Sequence, residues 1–421
     1  MPAPIPAPGL LAAILLMTVS SVGEPDPRGP AAAPALDADP VATYWVYVGS
    51  ESADFLHRIR FGPEGASVEE EYSVGHLYRQ SSVPELYSES EAPHGVAVDG
   101  GTDRVYMTTG HGLPSGKLWA VEAGTGRLLD DPVDLGRFPA SLDVSPDGRY
   151  VVVANFNLHG RMEPSNISVV RTDGMVEVGR VETCTMPHGS RVHPAGRRHY
   201  SVCMMDDQLV ELDLLTLEVR RRYHLAAGGE GPLDPSDRGP HDPHGPHAGH
   251  MMNHEASCSP TWVQPTPGGE RAWVVCNRSD ELVEIDLDEW THLRRIPTGR
   301  GPYNVDVTPD GRVVVVTLKQ GNGVEFFEAR TGERLAELPT STTVVHGIAL
   351  SPDSRYAFVS VEGVGSEAGK VDIFDLQALQ VVASVPVGQQ ASGIAFWKME
   401  EPVEATRPAR PHAPVASGER R

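Results

Sequence analysis

The chain has 421 residues, of which 40% are hydrophobic and 22% are charged, a composition typical of a folded globular protein rather than a disordered one. Its formal net charge of −22 opposes the approach of a phosphate backbone, so nucleic acid is not expected as a partner. The 43 glycines and 37 prolines favour many short strands joined by turns over long helices.

The N-terminal segment has the pattern of an export signal. Residues 10–19, LLAAILLMTV, form an apolar run that is too short to span a bilayer and is followed by small residues. We therefore predict a cleaved signal peptide over 1–23, no membrane span after cleavage, and a periplasmic or secreted protein. Residues 24–42 are rich in proline and alanine and 401–421 in proline and arginine, so both segments are predicted to be disordered.

A repeated pattern of two strands around a Pro-Asp-Gly turn occupies the region between these segments. RFPASLDVSPDGRYVVVANFN (137–157) recurs as RGPYNVDVTPDGRVVVVTLKQ (300–320) and VVHGIALSPDSRYAFVSVEG (344–363), and looser copies lie between them. Proline presets the backbone for such a turn, and glycine accepts a positive φ. Two further strands follow each copy, so each repeat predicts one four-stranded blade of a β-propeller.

Seven such repeats are present. The residue six positions before each turn proline, or its equivalent, is called the anchor here, and the anchors are His94, Ala140, His188, Thr261, Tyr303, His346 and Ser392. Residues 44–65 supply outer strands without a first strand, whereas 391–399 form a first strand without the rest. We predict an all-β, seven-bladed β-propeller over 43–400, closed by one blade that the two ends of the chain share.

The repeats resemble those of the YVTN-repeat β-propeller family of exported bacterial proteins. The resemblance rests on VSPDGRYVVVAN (144–155), VTPDGRVVVV (307–316) and LSPDSRYAFVS (350–360), and covers about 43–400. It implies that each first strand lines the central channel and begins at one face, called the upper face here. Each second strand would end at that face, and each connection between blades would also lie there. The motifs specify a fold and leave the function open.

Three anchors are histidines that this geometry would bring together. His94, His188 and His346 belong to blades 2, 4 and 7, spaced nearly evenly around the ring. The ends of second strands add Cys203 and Met204, and this mixture of imidazole and sulfur ligands favours copper, with zinc or another divalent cation as the alternative. A metal ion or small ligand in the channel is then expected as the partner. The simpler alternative is that the histidines bond to backbone groups and that Met204 packs.

An insertion at 227–257 separates blades 4 and 5. It contains HDPHGPHAGHMMNH, a run that is rich in histidine and methionine and typical of metal-binding segments. Because connections between blades lie on the upper face, we expect it to hang over the mouth of the channel and to collect metal. Its candidate ligands are His241, His244, His247, His250 and His254.

The four cysteines are expected to form two disulfides if the protein is exported. Three pairings are possible. Cys203 and Cys276 occupy equivalent positions in adjacent blades, as do Cys184 and Cys258 in the entry loops. We therefore favour Cys184–Cys258 and Cys203–Cys276, a pairing that would remove Cys203 as a thiolate ligand.

Function remains open among three classes. The first is a metal-binding protein; the second is an enzyme that uses the same pocket, either a copper oxidoreductase or a lactonase-type hydrolase; the third is a scaffold for an envelope protein partner. MPHGSRVHPAG (186–196) is similar to strand entries of the nitrous oxide reductase propeller, but the chain lacks a cupredoxin domain. For a hydrolase, Glu362 is the candidate catalytic carboxylate, as a base or as an imidazole partner; the alternative is a solvated turn residue.

Overall fold

The computed structural model describes residues 40–83, 91–111, 113–244 and 255–402. The predicted signal peptide, most of the predicted linker and nearly all of the predicted tail fall outside these ranges. Within them, no helix has the length and apolar character needed to cross a membrane.

The described chain is almost entirely β-structure. The first elements are β1 Thr43–Ser50, β2 Phe55–Gly62, β3 Gly65–Ser73, α1 Val74–Gln80, β4 Val96–Asp99, β5 Arg104–Thr109, β6 Lys117–Glu122, β7 Val133–Asp134, β8 Pro139–Val144, β9 Tyr150–Asn155, β10 Pro164–Arg171, β11 Val176–Thr185, β12 Pro187–Val192, β13 Arg198–Cys203 and β14 Gln208–Asp213. They are followed by β15 Glu218–His224, β16 Gly231–Leu233, β17 Pro260–Pro265, β18 Arg271–Cys276, β19 Glu281–Asp286, β20 Thr291–Pro297, β21 Pro302–Val307, β22 Val313–Leu318, β23 Gly323–Glu328, β24 Arg334–Pro339, β25 Val345–Leu350, β26 Tyr356–Val361, β27 Lys370–Asp375, β28 Gln380–Pro386 and β29 Ala391–Glu400.

These strands form seven antiparallel sheets, the blades of a β-propeller, as predicted. In blade 1 the order is β29-β1-β2-β3, so the last strand of the chain pairs with the first. Blades 2 and 3 are β4–β7 and β8–β11, blade 4 is β12–β16, and blades 5, 6 and 7 are β17–β20, β21–β24 and β25–β28. The ring is therefore closed without a free inner edge, and the predicted sharing of one blade by the two chain ends is confirmed.

Apolar side chains pack between neighbouring blades and hold the ring together. Tyr44 and Phe61 of blade 1 lie against Tyr356 and Phe358 of blade 7, with ring centroids 5.0 to 6.4 Å apart. Similar clusters fill the other interfaces between blades. The strands alternate inward and outward residues so that both faces of each blade contribute to such a layer.

The anchors lie at the start of the inner strands and form one ring at the upper end of the channel. Each is the second residue of its strand except His94, which precedes β4 by two residues. All seven are at most 9% exposed. In six blades the pairing register shifts beside the anchor, as between His188 and Ser190. Such a bulge bends the strand and turns the anchor side chain.

The disulfide pairing expected from the sequence is wrong. The bonds join Cys184 to Cys203 and Cys258 to Cys276. The first bond links the end of β11, the outer strand of blade 3 that leads into β12, to the end of β13 in blade 4, where Pro187 pairs with Cys203. The second bond links the segment before β17 to the end of β18 in blade 5, where Pro260 pairs with Cys276. Antiparallel pairing brings these positions together, whereas equivalent positions of adjacent blades diverge around the ring. Cys203 is therefore not a free thiolate for metal.

The described part of the insertion packs on blade 4 rather than over the channel. Its strand β16 adds a fifth, outer strand to that blade. Beyond β16, the Nδ1 atom of buried His241 lies 2.9 Å from Oδ1 of Asp206, whose other oxygen accepts the N–H of Thr185. His244 is exposed. The remaining candidates of this segment, His247, His250 and His254, lie outside the described residues.

Candidate active site at the upper end of the channel

Two rings of side chains surround a cavity of about 190 Å³ at the upper end of the channel. The first is the anchor ring. The second, called the exit ring here, consists of the residue that directly follows each second strand. Its members are Glu51, Gly110, Phe156, Met204, Asn277, Lys319 and Glu362. Five of these line the cavity, together with His111 next to Gly110 and the anchors His94, His188 and Tyr303.

Glu51 connects two imidazoles on one side of the cavity. Its two carboxylate oxygens lie 2.6 Å from Nδ1 of His94 and 2.6 Å from Nδ1 of His111. Burial opposes ionisation of this side chain, which is 2% exposed, but the charge of His94 and the two hydrogen bonds outweigh it and hold the pKa of Glu51 at about 2. Because both contacts use Nδ1, the Nε2 atom of each ring takes no part in binding this carboxylate.

Lys319 and Glu362 form an ion pair on the other side. The ammonium lies 2.8 Å from the Glu362 carboxylate and 4.2 Å from the centroid of the Tyr303 ring. Burial favours the neutral amine, but electrostatic attraction to Tyr303 and to the Glu362 carboxylate raises the pKa of Lys319, so the amine stays protonated. About 30% of the lysine side chain is exposed. An ammonium has three donors, and one bond to Glu362 leaves donors for a ligand.

His188 is held as a neutral imidazole. Its Nδ1–H donates to the carbonyl of Thr261 at 2.7 Å, and its Nε2 accepts from the Tyr303 hydroxyl at 3.2 Å. Burial lowers the pKa of His188 to about 3, although the bond to Thr261 favours the charged form. Burial also raises the pKa of Tyr303, so the phenol keeps its proton.

His346 lies beside His94 and Tyr303, two residues of the cavity lining. Its ring is 5.2 Å from that of His94 and 4.9 Å from that of Tyr303, measured between centroids. Its Nε2 is 4.0 Å from Glu362, too far for a direct hydrogen bond. Neither ring nitrogen makes a hydrogen bond of normal geometry with a described residue. Burial, and next the positive charge of Lys319, lower the pKa of His346 well below its ordinary value.

The three anchor histidines thus meet at the channel, but their surroundings do not suit a cation. Both nitrogens of His188 are engaged, and the Tyr303 ring lies between it and His346. The ammonium of Lys319 adds positive charge beside them. Among the described residues, no three His, Cys, Asp or Glu side chains are placed to hold a metal ion. The copper site stays a prediction that this geometry does not favour.

Two candidates at the ends of second strands have different surroundings. Met204 lines the cavity and packs against an apolar cluster that contains Phe138 and Phe156. Glu362 reaches the upper face beside His346, as the sequence predicts, but its close partner is Lys319.

Sequence reasoning missed Glu51, His111 and Lys319. The signal that finds them is the one that identifies Met204 and Glu362, because all of these residues lie at the end of the second strand of a blade. In blade 1 the second strand is β1, and Glu51 is its next residue. In blade 2 the residue after the second strand is Gly110, which His111 follows. In blade 6 the residue after the second strand is Lys319.

The comparisons with known proteins show the fold. The chain is similar to the periplasmic gluconolactonase of Pseudomonas aeruginosa, with a TM-score of 0.60 and 17% identity over 85% of this chain and 99% of that one. A putative 6-phosphogluconolactonase of Bacteroides uniformis gives 0.58 and 16% over 84% and 99%. A chain of Kuenenia stuttgartiensis hydrazine synthase gives 0.57 and 18% over 75% and 92%.

No protein-family model matches this chain, and no curated protein matches it at a significant level. The chain is therefore a β-propeller whose structural neighbours include lactonase-like propellers. Identities below one fifth describe a shared architecture, and one propeller architecture hosts many activities. The chemistry must be argued from the site.

Proposed function

We propose that this protein is an exported β-propeller hydrolase that opens small lactone rings in the cavity at the upper end of its channel. The observation that carries the proposal is the arrangement of Glu51, His94 and His111 in one wall of the cavity, with the protonated Lys319 in the same lining. A base oriented by a carboxylate, in the same pocket as a cationic hydrogen-bond donor, is the combination that ester hydrolysis needs.

His111 is the proposed general base. Glu51 fixes its Nδ1–H, so Nε2 is free to take a proton from a water molecule. The water oxygen then forms a bond to the lactone carbonyl carbon, and the carbonyl electrons move to oxygen. About 28% of the His111 side chain is exposed, so water and substrate can reach it. His94, which is 7% exposed and shares the same carboxylate, helps to hold Glu51 in place.

Lys319 is the proposed stabiliser of the negative oxygen. Its ammonium and the Tyr303 hydroxyl both belong to the cavity wall. When the tetrahedral intermediate collapses, the ring C–O bond breaks and the leaving alkoxide takes the proton that His111 had accepted. The product is a hydroxy acid, and His111 returns to its neutral state. A preorganised donor of this kind typically contributes about 10²- to 10³-fold to the rate.

The comparisons support a lactonase over the other classes. Three of the similar solved structures carry lactonase names, two of them as putative. The resemblance of the repeats to exported YVTN propellers is part of the same proposal. Export is further supported by the two disulfides, which persist in oxidising compartments, and by the name of a periplasmic neighbour.

The metal-binding function expected from the sequence remains the alternative to the hydrolase, and metal content distinguishes the two. In a copper protein of the predicted kind, metal binding would depend on His94, His188 and His346. A variant with alanine at all three positions would then lose the metal. Metal analysis of the purified protein beside that variant separates the two proposals. One tightly held copper that the variant loses would favour the metal-binding function.

The test of the hydrolase is lactone hydrolysis by the purified protein, followed as acid release above the spontaneous rate of glucono-δ-lactone. Lys319→Met keeps most of the side-chain volume and removes the charge, and should lower kcat by about 10²-fold. Lys370→Met is the matched control, because Lys370 is a blade 7 lysine whose ammonium bonds weakly to the carbonyl of Ser341, outside the cavity lining. Equal activities of both variants, or no hydrolysis of any lactone by the parent protein, would refute the proposal.

A further inference from the structure

A second ring of inner-strand residues lies directly below the anchor ring. It consists of the residue that follows each anchor, and we call it the middle ring. Its members are Gly95, Ser141, Gly189, Trp262, Asn304, Gly347 and Gly393. Four of the seven are glycines, and the other three each carry a polar atom.

The glycines are required by the close approach of the inner strands. A Cβ on Gly393 would lie 2.3 Å from the carbonyl oxygen of His94, and one on Gly95 would lie 2.6 Å from the side chain of Leu142. Both distances are shorter than any real contact. The ring is therefore narrow in blades 1 and 2, and space along the axis is left only where no side chain enters.

That space is a chamber of about 30 Å³, lined by six of the seven middle-ring residues and by His346. A water molecule needs about 10 to 15 Å³ measured in this way, so the chamber has room for about two. Arg191, one layer further down, also lines the chamber.

The chamber wall contains several buried polar atoms without a hydrogen-bond partner among the described residues. They are Oγ of Ser141, Nε1 of Trp262, Oδ1 of Asn304 and both ring nitrogens of His346. The four side chains are between 2% and 7% exposed. An unpaired buried polar group costs about 1 to 3 kcal/mol, so four such residues around one small space require a common partner. These atoms include a hydrogen-bond donor, Nε1 of Trp262, and an acceptor, Oδ1 of Asn304. Water can bond to both because it donates and accepts, whereas a simple anion only accepts.

A third layer continues towards the opposite face. Three residues after each anchor lie Ala97, Asp143, Arg191, Gln264, Asp306, Ala349 and Ala395, which we call the lower ring. All seven line a cavity of about 330 Å³. The polar residues of the lower ring lie in the adjacent blades 3 to 6, and its alanines lie in blades 7, 1 and 2. One side of the channel is therefore polar at this level. Burial raises the pKa of Asp306 to about 6, so this carboxylate can exchange a proton near neutral pH.

We propose that the middle chamber is a binding site for two water molecules, which bond to Ser141, Trp262, Asn304 and His346 and connect His346 to the lower cavity. If the protein is the proposed hydrolase, this water path has a role in the reaction. While the hydroxy-acid product covers the upper mouth, a neutral His346 can take the proton that the carboxylic acid of the product loses at one nitrogen and give the proton of its other nitrogen to the chamber water. The number of protons on the ring is unchanged.

A high-resolution crystal structure of the protein tests the site without depending on activity. Two density peaks at 2.7 to 3.2 Å from these side-chain atoms are expected. Crystals soaked in sodium bromide should show no anomalous peak in the chamber. An empty chamber, or a bromide peak that marks an anion site, would overturn the proposal.

The role of the path is tested with Asn304→Leu, which has nearly the same shape and no polar atom. We expect it to lose at least one chamber water and to lower kcat about 3- to 10-fold, with KM unchanged and a changed solvent isotope effect on kcat. Asn166→Leu is the control, because Asn166 is an outer amide of blade 3 that accepts a bond from Asn155. An Asn304→Leu protein that has lost the water and keeps its full kcat would overturn the role while leaving the water site and the hydrolase in place.

Discussion

Glu51→Gln is the substitution that discriminates best between a catalytic and a structural cavity. It keeps the shape of a side chain that is 2% exposed and removes its charge. The carboxylate accepts N–H groups from His94 and His111 at 2.6 Å each and from the Gln390 side-chain amide at 3.2 Å. A glutamine offers one accepting oxygen and a donating NH₂ group, so at most one imidazole keeps its bond.

The imidazole that faces the NH₂ group must present a nitrogen without a proton. Its proton then moves to Nε2, and the ring can no longer act as a base from that atom. If His111 takes this form, kcat should fall by about 10²- to 10⁴-fold, the range for loss of a general base. KM should change little, because glutamine keeps the size and shape of the Glu51 side chain. The lost charge-assisted hydrogen bond is expected to reduce the free energy of unfolding by about 1.5 to 3 kcal/mol.

The assay measures kcat, KM and thermal unfolding of both proteins, and ¹⁵N shifts of the imidazoles report the tautomers. Glu211→Gln is the control: it changes a fully buried carboxylate of blade 4 that pairs with Arg220 and Arg221, away from the cavity. That variant should lose stability and keep kcat. If Glu51→Gln is folded, shows the exchanged tautomer and still keeps kcat within a factor of two, the proposed role of His111 is wrong.

Three further predictions concern the same molecule. Replacing both Cys184 and Cys203 by alanine should lower the free energy of unfolding by about 3 kcal/mol, since the bond closes a loop with a sequence separation of 19. Denaturant unfolding measures this loss, and an unchanged midpoint would contradict the prediction. Burial holds the pKa of His188 at about 3 in the folded protein, below the ordinary value of 6.5, so its contribution to stability is present above pH 6.5 and lost as the pH falls towards 3. Between pH 7 and pH 5 this effect should reduce the free energy of unfolding by about 2 kcal/mol. The free energy of unfolding of His188→Gln should therefore fall less steeply over that range. Chelation of divalent metal should leave lactone hydrolysis unchanged, and a loss that added copper or zinc restores would contradict the proposed mechanism.

The fold was predictable because its signals are local. A turn proline six residues after the anchor recurs in five of the seven repeats, and strand pairing across such a turn leaves few alternatives. Six of the seven anchors are therefore the second residue of an inner strand, from Ala140 in blade 3 to Ser392 in the closing strand, and His94 precedes its strand by two residues. The chain ends were informative for the same reason, since an incomplete first repeat and an incomplete last repeat complement each other.

The disulfides were not predictable in this way because their pairing depends on distance and not on equivalence. Cys203 and Cys276 look alike in the sequence, but equivalent positions of neighbouring blades diverge from the channel outward. Cys184 is close to Cys203 because the chain enters β12 beside the end of β13. A rule based on hairpin register, in place of repeat position, gives the observed bonds.

The cavity was predictable in its position and only partly in its chemistry, and the difference follows from what each ring must do for the fold. An anchor sits beside a bulge and before a residue that is glycine in four of the seven blades, so its side chain is constrained by packing. An exit-ring residue follows the last pair of a β-ladder, at the solvent side, and can change without loss of a strand hydrogen bond. Glu51, Lys319 and Glu362 occupy such positions, and the ionisable chemistry of the cavity therefore lies where the repeat pattern demands least. Proteins that share only 13 to 18% of their residues with this chain can thus keep the same propeller architecture.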